Sequence, residues 1–153
     1  MTRRTVAISL KIPDNAAFTA LTALRRIGLE LGDVDRREIW QLEDAGAPET
    51  LIARVSANPA MFNPNKHRIV ALEHQQPQAG ETWVSQAGQH DEVREHLGGT
   101  GIDGILRATR AVGWRLRDRH GDPVERATLV AAVESLLCNP AVEVARYEGD
   151  PPA

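Results

Sequence analysis

The sequence is poor in cysteine, in aromatic residues and in long apolar runs. Cys138 is its only cysteine, which excludes an internal disulfide and a thiolate metal cluster. Aromatic residues make up 4% of the 153 residues, so a core must consist mostly of Val, Leu, Ile and Ala. No apolar run approaches the length of a membrane-spanning helix. The twin arginine near the start is not followed by a signal-peptide core, because Lys11 and Pro13 interrupt the apolar stretch. We therefore expect a cytoplasmic protein without membrane contact.

The chain also lacks an excess of either charge. It has 18 basic and 21 acidic side chains, a formal charge of −3. This balance gives no basic footprint for nucleic acid, and we expect no nucleic-acid partner. Hydrophobic residues at 42% and charged residues at 25% are typical of a globular protein that buries a core.

The first half alternates strand and helix patterns. Period-two apolar positions predict a strand over 5–12, and an apolar stripe predicts a helix over 16–27 that Gly28 ends. Asp14 or Asn15 is the expected N-cap. A strand over 33–43, a short helix after Pro48 and a strand over 67–73 follow. The stripe of the first helix consists of Ala17, Phe18, Leu21, Leu24 and Ile27.

The second half repeats this order, with a polar, glycine-rich insertion at 89–101. A helical stripe from Ile102 to Val112, ending at Gly113, predicts a helix there. The other predicted elements are strands over 81–87, 115–119 and 141–148 and a last helix over 129–137.

Two pairs of segments are similar to each other. Residues 22–31 align with 107–116, and residues 55–60 align with 136–141. Such self-similarity predicts two copies of one small unit, over 1–76 and 77–150. One copy alone would bury little surface, so we expect the two to pack as a pseudo-dimer.

Several segments resemble the PurS family, the small subunit of bacterial phosphoribosylformylglycinamidine synthase. Residues 6–11, 23–28 and 33–43 resemble the first half of that family, and residues 133–148 resemble its closing segment. The resemblance implies an α+β fold of two tandem ferredoxin-like (βαβαβ) subdomains. The 89–101 insertion and the loop at 63–67 depart from the family pattern.

The resemblance also implies a function. PurS-like subunits carry no catalytic residues and bridge the synthetase and glutaminase subunits of an ATP- and glutamine-dependent complex in purine biosynthesis. They form dimers and higher oligomers. We accordingly expect a noncatalytic subunit without a cofactor, with synthetase and glutaminase subunits or further copies of itself as partners.

One segment is a candidate ligand site. Glycine-rich backbone before a helix can cradle a phosphate, because free N–H groups and the helix dipole both favour anions. The Gly-Lys-Ser/Thr ending of a phosphate loop is missing, so a flexible connector remains the alternative. A small-ligand-binding regulatory module of tandem ferredoxin-like domains is the corresponding alternative function. The candidate ligand-binding residues are Gly98, Gly99, Thr100, Gly101, Arg107 and Arg110.

Other reactive side chains favour ordinary structural roles. His90 and His96 lie among acidic residues, but a spacing of six does not set two ligands on one helical face, so we expect a solvated loop and no metal site. An enzyme that uses the 89–101 loop is a third hypothesis. Cys138 follows apolar helix residues and is expected in the core. Core packing is also expected for at least two of the tryptophans, Trp40, Trp83 and Trp114.

Overall fold

The protein has an α+β fold. A computed structural model describes residues 1–88, 91–92 and 101–151. Its six strands are β1 (Thr2–Leu10), β2 (Asp33–Asp44), β3 (His67–Leu72), β4 (Glu81–Gln86), β5 (Ile105–Arg117) and β6 (Glu143–Arg146). Its helices are α1 (Asn15–Arg26), α2 (Leu51–Ser56) after a 3₁₀ turn at Pro48–Thr50, and α3 (Arg126–Ala132), which continues as a π-helical segment over Val133–Leu137.

The strands form one six-stranded antiparallel sheet in the order β3-β1-β2-β5-β4-β6. Strand β1 pairs with β2, Val6 opposite Trp40, and with β3, Ala7 opposite Val70. Strand β4 pairs with β5 and with β6, and Val84 has Val112 and Ala145 as its partners. The two short strands β3 and β6 are therefore the ends of the sheet.

The chain forms two compact units that interleave along the sequence. Unit 1 contains Met1–Ile12, Glu38–Gln75 and Gly88–Ala111. Unit 2 contains Pro13–Arg37, Gln76–Ala87 and Val112–Ala153. The long strands β2 and β5 each run from one unit into the other. That residues 1–76 and 77–150 are two copies of one subdomain stays a prediction.

Each unit has its own apolar core. In unit 1, Val6 and Trp40 of the sheet pack with Leu51 and Val55 of α2. In unit 2, α1 packs against α3 and the π-helical segment that continues it. The buried residues of that core are Ala17, Ala20, Leu24, Leu31, Val34, Leu116, Val124, Leu129, Ala132, Val133 and Leu137. Val, Leu, Ile and Ala dominate the cores of both units, as the shortage of aromatic residues predicts.

Most of the predicted elements are confirmed. The Asp14 carboxylate accepts hydrogen bonds from the backbone N–H groups of Ala16 and Ala17, which makes it the N-cap of α1. Gly28 has φ +100° and follows the helix end, as expected for a left-handed residue. The predicted burial of Phe18 and Ile27 is wrong, since they are 70% and 59% exposed. The buried stripe of α1 is narrower and consists of Ala17, Ala20 and Leu24.

The predicted helix over 102–112 is wrong, because this segment enters strand β5. Isolated apolar spacings of three and four residues do not distinguish a helix from a buried strand. The neighbouring strands β2 and β4 supply the backbone hydrogen bonds that decide the outcome. Gly113 does not end a helix; it lies within β5 as the cross-strand partner of the fully buried Trp83.

The same correction applies to one of the two self-alignments. Residues 22–31 lie in α1 and the turn after it, whereas residues 107–116 lie in β5. These segments are therefore not structural equivalents. The predicted strand over 115–119 is the last part of β5, which ends at Arg117. In the part of the chain that the structure describes, no helix is long and apolar enough to cross a membrane.

Candidate functional site

The predicted glycine segment is only partly described. Gly98, Gly99 and Thr100 lie outside the described residues. Gly101 has φ +50°, and its carbonyl accepts a hydrogen bond from Asn58 Nδ2 at 3.0 Å. No helix begins at Ile102, so the helix N-terminus that would favour an anion beside Gly101 does not form. The ligand-binding role of the segment stays a prediction without that support.

The two arginines of the predicted site are not brought together. A helix would set Arg107 and Arg110 one turn apart on the same face, but side chains three residues apart along a strand point to opposite faces. Arg107 is exposed. The Arg110 guanidinium lies 5.7 Å from the centroid of the Trp40 ring and 4.0 Å from Glu92 Oε1. Arg110 therefore packs within unit 1.

The histidines of the 89–101 loop, His90 and His96, also lie outside the described residues. Asp91 is described, and its Oδ1 atom accepts a hydrogen bond from the backbone N–H of Ala108 at 3.2 Å. Among the residues with described positions, no group of three or more His, Cys, Asp or Glu side chains could hold a metal ion.

The densest polar cluster of unit 1 surrounds Asp44 at the end of β2. The carboxylate is fully buried and accepts hydrogen bonds from both terminal nitrogens of Arg54, at 2.9 and 2.8 Å. Arg4 Nε and the backbone N–H of Gly46 also donate to it, at 3.1 and 2.8 Å. The hydrogen bonds from Arg54 are the main cause that lowers the Asp44 pKa to about 2, against the opposing effect of burial.

This cluster organises structure. Arg54 Nη1 also donates to the carbonyl of Asp103 at 2.8 Å, which fixes the chain just before β5 to helix α2. A carboxylate with a pKa of about 2 and with donors on both oxygens is a poor proton acceptor at neutral pH. Sequence reasoning missed the cluster, because Arg4, Asp44 and Arg54 are far apart in the chain and follow no motif.

A second polar cluster lies in unit 2 around Trp83. The guanidinium of Arg146 lies 5.5 Å from the centroid of the fully buried Trp83 ring. The buried carboxylate of Glu81 accepts from Arg37 Nη2 at 2.7 Å and from the backbone N–H of Gln78 at 3.2 Å. In the same unit, Asp35 pairs with Arg115, the cross-strand partner of Glu81. Each of the two carboxylates, Glu81 and Asp35, is thus neutralised by an arginine of another strand.

A small cavity of about 80 Å³ lies in unit 2 near Tyr147. The guanidinium of Arg126 lies 5.0 Å from the centroid of the Tyr147 ring, and burial is the main cause that raises the Tyr147 pKa. Ligand pockets for drug-sized molecules span roughly 300–1,000 Å³. The cavity therefore has room for water or a very small molecule. Its lining is Gln78, Ala79, Gly80, Glu81, Val124, Arg126, Leu129, Tyr147 and Glu148.

Cys138 is half-buried against the core of unit 2. Burial, together with the nearby Glu143 carboxylate, raises the pKa of the thiol. A reactive cysteine needs the opposite shift, which a positive neighbour provides. The structure therefore agrees with a packing role. Trp40 and Trp83 are 2% and 0% exposed, which confirms core packing for two of the three tryptophans.

The ends of the sheet differ in exposure and length. Strand β3 has six residues, of which Val70 is 51% exposed. Strand β6 has four residues, of which Val144 is 50% exposed. Each end of the sheet therefore has an exposed valine on a strand with a neighbouring strand on one side.

Comparison with known proteins gives no family. No protein-family model matches the chain, and no curated protein matches it significantly. The PurS-like resemblance therefore stays a prediction.

Proposed function

We propose that the protein is a noncatalytic, PurS-like subunit that bridges or stabilises a larger enzyme complex, and that it is built as an internal pseudo-dimer of two ferredoxin-like copies. The complex would be the purine-biosynthetic phosphoribosylformylglycinamidine synthase. The function in this proposal is the one that the resemblance to PurS implies. The structural observation that supports the two copies is the strand order of the sheet.

The strand order supports two copies because it reads the same from both ends. Strands β2 and β5 are the central pair, β1 and β4 flank them, and β3 and β6 close the sheet. Each strand of the first half is thus matched by the strand of the same rank in the second half. The pairings β1–β2 and β1–β3 correspond to β4–β5 and β4–β6, and all four are antiparallel.

The turns that lead into the two edge strands support the same conclusion. Asn58 follows α2, and its Oδ1 atom accepts from the backbone N–H of Ala60 at 2.8 Å. Asn139 follows the π-helical segment after α3, and its Oδ1 atom accepts from Ala141 in the same way at 3.1 Å. A proline follows each asparagine. These residues belong to the aligned segments 55–60 and 136–141, and the shared asparagine turn supports the proposal of two copies.

The residues before the two long strands are also alike. Gly32 directly precedes β2, and its N–H donates to the carbonyl of Arg117 at 2.9 Å. Gly104 directly precedes β5, and its carbonyl accepts from Ala45 N at 2.8 Å. A Cβ atom at Gly32 would lie 2.3 Å from the carbonyl oxygen of Asp118. Each long strand is therefore preceded by a glycine that is hydrogen-bonded to the end of the other long strand or to the residue after it.

The chemistry of the described residues favours binding over catalysis. The buried carboxylates of Asp44 and Glu81 are held by arginines, and the Cys138 thiol has a raised pKa. Active sites instead require groups whose pKa is shifted toward the working pH and which line a cleft. The exposed edges of the sheet, in contrast, are surfaces for protein contact.

Co-elution tests this function. The purified chain is mixed with the large synthetase and the glutaminase of phosphoribosylformylglycinamidine synthase in the presence of ATP, Mg²⁺ and glutamine, and is resolved by size-exclusion chromatography. We expect all three proteins in one peak, and no such peak when an unrelated protein of similar size replaces the chain. A chain that elutes alone under these conditions contradicts the proposal.

The second candidate function is a small-ligand-binding regulatory module. The small cavity beside Tyr147 is the observation in its favour; Arg126 lines it and is held there by the carbonyl of Glu148 and the carboxylate of Asp150. A ligand that binds only the native state raises Tm by mass action. A thermal-shift screen with glycine, other amino acids and nucleotides tests this function, and an Arg126→Ala variant serves as the control that should lose any shift.

A further inference from the structure

The strands of unit 2 have a second face, opposite to the one on which α1 and α3 pack. Trp114 and Ala145 pack against the helical core and so lie on the helix-covered face. Successive side chains of a strand point to opposite faces, which sets their neighbours Arg115 and Arg146 on the other side of the sheet. We call this side the arginine face; it carries Asp35, Arg37, Glu81, Trp83, Arg115 and Arg146.

The arginine face is largely buried, although it is polar. Trp83 is fully buried and Arg146 is 8% exposed. The side chain of Arg37 is 10% exposed. The side chains of Asp35 and Arg115, which pair with each other, are 37% and 36% exposed. A dissolved ion therefore has access to the face at this pair.

Three buried N–H groups of the arginine face have no acceptor in the part of the chain that the structure describes. They are Trp83 Nε1, Arg37 Nε and Arg115 Nε. A buried donor without an acceptor is costly, and each one in a native protein needs an explanation. Since all three groups are donors, what they lack in common is an acceptor.

These three groups lie beside one buried carboxylate, that of Glu81. Arg37 Nη2 reaches across strand β5 and donates to Glu81 Oε2 at 2.7 Å. Arg115 is the direct cross-strand partner of Glu81. Trp83 follows two residues along β4, a distance of roughly 7 Å in a strand. Both oxygens of Glu81 already accept hydrogen bonds, since Oε1 accepts from the backbone N–H of Gln78.

We propose that the arginine face of unit 2 binds a small oxyanion, a carboxylate or a phosphate, with Trp83 Nε1 and the guanidinium groups of Arg37 and Arg115 as its donors. An oxyanion offers several acceptor lone pairs, and its hydrogen bonds with guanidinium groups are charge-assisted. A water molecule would add two O–H donors that need acceptors themselves, and a cation would add no acceptor. Glu81 and Asp35 are each paired with an arginine, which reduces their repulsion of an anion.

Heteronuclear NMR of the uniformly nitrogen-labelled, full-length protein tests the site directly. Each of the three tryptophans gives one indole N–H resonance, and the one lost in Trp83→Phe belongs to Trp83. The protein is titrated with sodium phosphate and, separately, with sodium acetate, while sodium chloride holds the ionic strength constant. We expect a saturable shift of the Trp83 resonance, and the salt that saturates it at the lower concentration identifies the anion class. No saturable shift with either salt overturns the proposal.

Isothermal titration calorimetry of variants tests the donors. Trp83→Phe removes the indole N–H, and Arg115→Lys keeps the charge but removes the Nε donor. Each should raise the dissociation constant of the anion by roughly tenfold or more, the effect of losing one charge-assisted hydrogen bond. Trp114→Phe makes the same chemical change on the helix-covered face and should leave the constant unchanged. Circular dichroism and Tm show which variants fold. Equal weakening by Trp114→Phe contradicts the site.

The inference does not rest on the proposed function, because neither experiment contains synthetase or glutaminase. It also differs from the cavity beside Tyr147, which Arg126 lines. Arg126→Ala should therefore leave the dissociation constant of the anion unchanged. An anion that binds the wild type but not Arg126→Ala lies in that cavity and contradicts the proposal.

Discussion

The carboxylate of Asp44, at the end of β2, connects β1 and α2 through its hydrogen bonds from Arg4 and Arg54. Four hydrogen bonds end on its buried carboxylate: two from Arg54, one from Arg4 and one from Gly46. These donors stabilise the ionised form, so the pKa falls from 3.8 to about 2 in the folded protein. Folding is therefore linked to the ionisation of this one group.

The first prediction concerns the pH dependence of stability. Because the folded-state pKa is lower than that of the unfolded chain, the contribution of Asp44 is fully present above about pH 5. It is lost as the pH falls through 3.8 toward 2. The expected loss is about 2 kcal/mol of the free energy of unfolding. Urea denaturation between pH 2 and pH 6 measures it.

The variant Asp44→Asn tests the assignment to this residue. It leaves Arg54 partly buried without its carboxylate, which should cost roughly 3 kcal/mol at pH 7 and remove most of the slope below pH 5. Asp33→Asn is the control, because Asp33 is 59% exposed and lies 3.8 Å from Arg117. Such an exposed pair contributes less than about 1 kcal/mol. Equal effects of the two substitutions would contradict the role given to Asp44.

At the scale of the elements, the turns between helix and edge strand differ between the two halves. Asn58 is 7% exposed and, besides its bond from Ala60, donates from Nδ2 to the carbonyl of Gly101. Asn139 is exposed and makes only the local turn among the bonds that its side chain shows. The same local motif therefore carries an additional tertiary contact in unit 1.

The second prediction follows from this difference. Asn58→Ala should lower the free energy of unfolding by about 2 kcal/mol, because it removes both hydrogen bonds of a buried side chain, one to Ala60 and one to Gly101. Asn139→Ala, the matched change at the exposed turn, should cost less than about 1 kcal/mol. Chemical denaturation of both variants measures the difference. A larger loss for Asn139→Ala would show that the Gly101 contact contributes little.

Strand β5 shows why one element could not be predicted from its own residues. Its apolar positions fit a helical stripe as well as a strand, and a glycine after such a stripe, as at Gly113, is typical of a helix end. Its neighbours in the sheet, β2 on one side and β4 on the other, determine the outcome, because they supply the hydrogen-bonding partners of its backbone. For the same reason, Arg107 and Arg110, which a helix would have placed side by side, are separated.

At the scale of the whole molecule, the compact units do not follow the two halves of the sequence. Helix α1 comes from the first half, yet it packs in unit 2 with Leu129 and Val133 of the second half. Residues 88–111 of the second half belong to unit 1, where Ile102 and Ala108 are part of the core. Each half of the chain therefore lacks part of its own core.

The third prediction uses this interleaving. The fragments 1–76 and 77–153, expressed separately, should each be unfolded or insoluble, because each lacks residues from both cores. Co-expressed, they should form a soluble one-to-one complex with the circular dichroism of the intact chain. Affinity capture of one tagged fragment measures the complex. A fragment 1–76 that folds alone and buries Trp40 would contradict the shared cores, and near-ultraviolet circular dichroism would detect it.

The sequence by itself determined the local elements: period-two patterns, the Asp14 cap, Gly28 and the Asn-Pro turns decide strands, helices and ends within a few residues of chain. It also determined the composition of the cores, since so few aromatic residues were available. Only the tertiary structure decided that residues 105–117 are a strand, that Asp44 pairs with Arg4 and Arg54, and that each core contains residues from both halves of the sequence. Those outcomes depend on hydrogen bonds and ion pairs between residues far apart in the chain, for which no local pattern exists.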